Sequence, residues 1–363
     1  MQLRDYQQRA VNFLQNKQRG FIVSPAGSGK TIMAAAAAAK CFPFGARITW
    51  LANTKEQVMQ AYTAAARMSL EISAHCVAAQ PDCSQADLVI VDEAHHMPAA
   101  TWSATVGKAK GLIWGFSATP WSGDQERDAV LHSFFQNFLH IPREEVLAHG
   151  SITEGRVLVH DLDWPGEFNE SINTLTAIET ERRCRRFPFV PRDEHERRAR
   201  WQATADAVKG NDVRNSRIVD LATNEAGSIL VLVSTVEHGE QLAARIPESQ
   251  LVHAKLSKKR RDAAIQQFRD GTLRCMIATS LADEGLDVPR AGVLILAAGG
   301  RSAGKLEQRA GRVMRPHEGK TFGVVHDFSD RGAALAHSQF LARARTYKKL
   351  GYTITRADHA RAA

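Results

Sequence analysis

The stretch Ser24-Pro-Ala-Gly-Ser-Gly-Lys-Thr31 is the first in the chain whose residue types and spacing could do chemistry. It follows the apolar run 20–24 (GFIVS) and opens the alanine-rich segment TIMAAAAAAK, made of strong helix formers. A glycine-rich turn between a strand and a helix offers backbone N–H groups and a helix N-terminus to an anion, which is how a phosphate is cradled. In that arrangement Ala26, Gly27, Ser28 and Gly29 form the cradle. Lys30 reaches the outer phosphates of a nucleotide, and Thr31 holds Mg2+. Ser24 stands where the strict pattern has glycine. Downstream, Asp87-Leu-Val-Ile-Val-Asp-Glu-Ala-His-His96 ends an apolar strand on two carboxylates. Asp92 can hold Mg2+ through water, and Glu93 can orient and deprotonate an attacking water. Helix capping is the structural alternative for an Asp-Glu pair, and the phosphate loop upstream argues against it.

Two repetitive textures must position these residues. Apolar runs at 20–24, 46–52, 87–92 and 111–119 alternate with helix-prone segments in the first half; runs at 228–235, 273–280, 292–298 and 321–328 do so in the second. Continuous apolar runs without alternation are the mark of parallel strands buried on both faces. The 363 residues exceed one ordinary domain. The expected fold is therefore α/β: two lobes of parallel sheet flanked by helices, over 1–153 and 154–363. The polar, arginine-rich stretch 168–225 reads as a helical insertion at the start of the second lobe, its charges as a solvated face, and 336–363 as a closing basic helix. No apolar run approaches the ~20 residues of a membrane span, and the N-terminus lacks the order of a signal peptide, so a cytoplasmic protein without a membrane partner is expected. The five cysteines fit no familiar zinc spacing and read as reduced thiols. A net charge of +8 points to a polyanionic partner, most simply nucleic acid.

After the GSGKT loop come DEAH (92–95), SATP (117–120) and QRAGRVMR (308–315), in that order. Together they resemble a superfamily-two DEAD/DEAH-box helicase or translocase, with two RecA-like lobes, over nearly the whole chain except 160–225. The resemblance implies that ATP is the nucleotide. LRDYQ (3–7) resembles the adenine-reading motif, with Gln7 on the base and Tyr6 shaping its pocket. LANTKEQVMQ (51–60) is similar to a strand-contacting segment, which implies Asn53 and Thr54 as nucleic-acid contacts. VLVSTVEHGEQL (231–242) implies the same for Ser234 and Thr235. ATSLADEGLDVP (278–289) implies a phosphodiester contact by Thr279, with Gly285 and Asp287 near the nucleotide. By the same resemblance Arg312 and Arg315 act as arginine fingers, Gln308 lies near the attacking water, and His95, Ser117 and Thr119 couple the carboxylate motif to the strand-binding face.

DEGLD at 283–287 departs from the ARGLD of DEAD-box RNA helicases, and the tail resembles those of compact phage and bacterial helicases, so DNA is favoured over RNA. The expected activity is ATP-dependent stepping of a monomer along a strand, with unwinding or remodelling. An RNA helicase, a duplex translocase or annealing motor, and a binding subunit with a vestigial ATPase are the alternatives.

Overall fold

A computed structural model gives the structure over residues 2–42, 45–121, 123–279, 288–300 and 302–357. The chain divides into two units, Met1–Ile152 and Thr153–Ala363.

The first unit holds strands β1 (Arg19–Val23), β2 (Ile48–Ala52), β3 (Ser73–Cys76), β4 (Leu88–Asp92), β5 (Leu112–Ser117) and β6 (Asn137–His140). They form one sheet in the order β3-β2-β4-β5-β1-β6, and every pairing is parallel. Residues of β2 are buried throughout and those of β1 and β4 nearly so, which is why these strands read as unbroken apolar runs. The helix Lys30–Cys41 buries Met33, Ala34, Ala35, Ala37 and Ala38 against the same core as Tyr6, Ile22 and Trp114. Small side chains let it lie close. The edge strands β3 (SAHC) and β6 (NFLH) are short and only partly buried, so they carry no such run.

The second unit holds β7 (Glu154–Leu162), β8 (Ser228–Leu232), β9 (Ser249–Val252), β10 (Cys275–Ala278), β11 (Ala291–Leu296), β12 (Phe322–Asp330) and β13 (Thr353–Arg356). Their order is β13-β7-β12-β11-β8-β10-β9, again all parallel. Two long helices, Gly166–Arg186 and Arg192–Gly210, follow β7 and pack on each other.

Three features differ from the sequence expectation. The helical stretch follows a strand of the second sheet rather than opening the lobe. Its third helix, Asp212–Asn224, is no insertion: Ile218, Leu221 and Ala222 pack on Ile229, Val231, Ile277 and Ile295 in that sheet's core. The closing segment is not one helix over 336–363. A helix, Ala334–Lys349, stops before Gly351 at φ +68°, and β-branched residues of 353–356 then extend beside β7.

Candidate functional site

Apart from Tyr6 and Gln7, on the helix Asp5–Gln15 that precedes β1, the candidate positions of the first unit lie at or just beyond the C-terminal ends of parallel strands, the edge at which open α/β sheets bind ligands. After β1 the chain makes the 24–29 loop. Gly27 and Gly29 both sit at φ +85°, a region costly for other residues. A Cβ at Gly29 would lie 2.7 Å from Gln7 Nε2, and one at Gly27 3.0 Å from Ile152 Cγ2. No side chain caps the following helix at Gly29, so its positive end stays open to an anion. Lys30 Nζ donates to the carbonyls of Ser24 (3.1 Å) and Pro25 (3.3 Å), within the loop itself. The buried hydroxyls of Ser24 and Ser28 have no hydrogen-bond partner. Such unsatisfied groups are expected where a ligand belongs.

Tyr6 and Gln7 hold this loop from behind. The Tyr6 hydroxyl donates to Ser28 O at 2.9 Å and pairs with Ser151 Oγ at 2.7 Å. Gln7 Nε2 donates to the same Ser28 carbonyl at 3.1 Å, while its Oε1 accepts from Arg4 N. Ser151 was not singled out by its sequence, where it is an ordinary serine 145 residues from Tyr6.

The carboxylates arrive on β4. Register places Asp92 beside Phe116 of β5 and Ser117 beside Val23 of β1, so β5 lies between the acid-bearing strand and the loop-bearing one. Ser24 N donates to Ser117 O at 3.0 Å and ties the loop to that middle strand. Glu93 adopts φ +48°, a left-handed conformation rare for a side-chain-bearing residue and typical of functional turns. His95 Nδ1 stands 3.3 Å from Glu93 Oε2 and 3.0 Å from Ser117 Oγ, which in turn accepts from Thr119 N at 3.2 Å. The structure thus joins Glu93, His95, Ser117 and Thr119 in one hydrogen-bonded path. His96 lies with its ring centroid 4.2 Å from that of His95 and stacks on Trp102, and burial together with the neighbouring His95 pushes its imidazole down to about 4.

Burial, then the Glu93 charge, pushes the Asp92 carboxyl up to about 7, partly offset by Lys30. Glu93 is itself shifted down: burial would raise it, but the His95 hydrogen bond and Lys30 prevail. A carboxylate so short of positive charge suits a divalent cation. Among the described residues no group of three His, Cys, Asp or Glu could hold a metal.

On the same edge Thr54, after β2, caps the helix Lys55–Ala66 by accepting from Gln57 N at 3.3 Å. Gln57 Oε1 accepts from the N–H groups of both Asn53 (3.0 Å) and Thr54 (3.1 Å). The T-x-x-Q spacing of a capping box was legible in the sequence and marks Gln57 as the positioning residue for this turn.

The second unit repeats that turn. Thr235 follows β8 and accepts from His238 N at 3.3 Å, with Ser234 exposed beside it. Thr279 follows β10, is buried, and donates its N–H to Val252 O at 3.3 Å. Gln308 and Arg312 lie four residues apart on the helix Ala303–Val313, hence on one face. Arg312 is buried and Arg315 half-buried just past the helix end. Lys320, unremarked in the sequence, donates to the carbonyls of Pro289, Ala291 and Arg315 and fixes that end. Burial, with Arg315 nearby, lowers its ammonium to about 8. Gly285 and Asp287 lie outside the described residues.

Two parallel α/β units, a glycine-rich loop between strand and helix, and an Asp-Glu strand end are features this chain shares with superfamily-two helicases, to which it is similar. Residues 213–317 match the family described as Helicase conserved C-terminal domain, and residues 1–78 match Type III restriction enzyme, res subunit. The first match begins at the Asp212–Asn224 helix, in keeping with its place in the core. A putative DNA 3'-5' helicase Rad25 of Halobacterium salinarum is 26% identical over 340 residues, covering 87% of this chain and 52% of the relative. A DNA 3'-5' helicase XPB of Kineococcus radiotolerans is 25% identical over 98% of this chain and 65% of its own length. The chain thus spans about half to two thirds of these relatives. Among solved structures, Dbp5 of S. cerevisiae, bound to RNA and ADP BeF3, superposes with a TM-score of 0.62 at 16% identity, covering 98% of this chain and 90% of that one, a likeness of fold.

Proposed function

We propose that this protein is an ATP-dependent DNA helicase or translocase that moves 3' to 5' along a strand. The observation that carries this reading is the path from Glu93 through His95 and Ser117 to Thr119, because it joins the hydrolytic carboxylate to the turn beyond β5. The names of the relatives favour DNA and the direction.

In this reading the 24–29 loop and Lys30 bind the phosphates of ATP, while Tyr6 and Gln7 brace the loop and present it to the base. Thr31 and Asp92 would hold Mg2+, which would supply positive charge at the phosphates. Glu93 orients the attacking water and accepts its proton, and His95 keeps that carboxylate aligned. Arg312 and Arg315 supply positive charge as the transferred phosphoryl group spreads its own, with Gln308 near the water. Asn53, Thr54, Ser234, Thr235 and Thr279 contact the strand. Gly285 and Asp287 complete the nucleotide contacts.

Steady-state ATP hydrolysis with single-stranded, duplex and forked DNA and single-stranded RNA, with Glu93→Gln as the blank, tests the proposal. Stimulation by DNA supports it, and stimulation by forked DNA with strand release separates a helicase from a duplex translocase. Stimulation by RNA alone, or by none of these, overturns it.

A further inference from the structure

The second unit contains a cavity of about 200 Å3 at the C-terminal edge of its sheet. One wall is Ser234 and Thr235; the helix Arg192–Gly210 supplies another, with Trp201 and Ala205. Ala297 to Gly300, beyond β11, and Asp330, at the end of β12, complete it with the helix Ala334–Lys349. The volume is below the ~300–1,000 Å3 of pockets that take whole ligands. It suits one flat ring system and excludes a nucleoside triphosphate.

Its construction is rigid and chemically particular. Gln339 Oε1 accepts from Gly300 N at 3.0 Å, and Arg343 Nη1 donates to Gly300 O at 2.8 Å, so one turn of helix holds the backbone of Gly300 on both sides. A Cβ at Gly299 would meet Gln339 Oε1 at 2.9 Å, so backbone and the Gln339 amide lie close together on this side. Trp201 is 55% exposed, unusual for a large aromatic. Asp330, 3% exposed, lines the cavity and is paired with buried Arg214, whose Nε lies 3.3 Å from its Oδ1. Trp201 also lines a shallow cleft with Arg183, Arg197 and Arg198. Arg197 and Arg198 make only exposed pairs with Asp193 and Glu194 one helical turn away, which contribute little and exchange readily for phosphate.

We propose that this cavity takes a single nucleobase, turned out of the bound strand and stacked on Trp201, with the strand's phosphates along the arginine cleft. An aromatic face accepts any base. The proposal rests on the strand-binding reading of Ser234 and Thr235, and it gives the helix Arg192–Gly210 a part in holding substrate.

The test is the affinity of the full chain for a fluorescent single-stranded DNA oligonucleotide and for the same backbone made abasic. Trp201→Ala should weaken binding to the normal strand by about 5- to 100-fold and leave the abasic strand unaffected, while Trp201→Phe restores most of the loss. Ala205→Leu, which fills the cavity with a good helix former, should weaken the normal strand alone. Equal affinities of wild type and Trp201→Ala for the normal strand would overturn the cavity proposal while leaving the helicase reading intact. Equal losses on both strands would likewise overturn it, since the base would then play no part. A wild-type protein that binds no strand and shows no DNA-stimulated hydrolysis would overturn both.

Discussion

The two units build similar parallel sheets and treat buried charge in opposite ways. In the first, Asp92 and Glu93 end a buried strand with Lys30 and His95 as their compensation, and the Asp92 carboxyl is pushed up to about 7. In the second, Asp327 on β12 accepts from Arg343 twice at 2.8 Å, from Tyr347 OH at 3.0 Å and from Phe328 N at 2.7 Å. Arg214, 1% exposed, donates to Ala297 O and faces Asp330. One carboxylate is left wanting a cation; the other is surrounded by donors. The difference separates a site from a structural network: a group waiting for a ligand is short of partners, and a group that holds the fold is not.

The capped turns sharpen the contrast. After β1 the helix start is uncapped and the turn is glycine at positive φ, which leaves N–H groups for an anion. After β2 and β8 a threonine hydroxyl already accepts one of those N–H groups. The same strand-turn-helix unit leaves its helix start open in one place and closes it with a threonine cap in the others.

Substitutions should break this distinction in different ways. The largest effect is expected from Arg315→Ala, which should slow DNA-stimulated hydrolysis by about 10³–10⁵-fold while the strand still binds; unchanged turnover would remove it from catalysis. Glu93→Gln should cost about 10²–10⁴ in turnover without loss of nucleotide affinity, measured by equilibrium binding beside the rate. Arg343→Met should act on the fold instead, lowering unfolding free energy by about 3–5 kcal/mol because Asp327 is left buried and unpaired. A denaturation midpoint equal to wild type would show that the network is not structural.

Asp92→Asn should lose turnover and gain stability. A carboxyl whose folded value is about 7, against 3.8 when free, binds its proton more firmly in the folded chain. Stability therefore falls as pH rises from about 4 to about 7. The amide has no such dependence, so without nucleotide or Mg2+ the variant should melt above wild type at pH 8 and no higher at pH 4. The reverse order at pH 8 would mean that Asp92 is satisfied by the protein alone. The smallest effect is expected for Thr54→Ala, about 1 kcal/mol from loss of the cap, read by denaturation.

Eight of the nine interior strands and the glycine-rich loop were legible because local chemistry carries them: runs buried on both faces, and glycines that a positive φ requires. The ninth, β7, was missed because its first residues alternate between buried and exposed and give no unbroken apolar run. The edge strands β3, β6, β9 and β13 were not legible either, since a strand paired on one side shows a weak apolar signal. In the arginine-rich stretch Arg197 and Arg198 are exposed and paired one helical turn away, as a local pattern suggests. At Arg214 the solvated-face reading failed, because its partner Asp330 is more than a hundred residues away and no periodicity reports it.

By itself, then, the sequence determined the class of fold, the loop that suits phosphate and the Asp-Glu strand end, each set by neighbours along the chain. Tertiary structure alone decided that Ser117 stands between Asp92 and the loop, that Tyr6 and Ser151 brace Ser28, and that Trp201 borders a cavity beside Ser234. Strand order and long-range packing place those groups. Both are fixed by burying the whole sheet at once, and no local pattern encodes them.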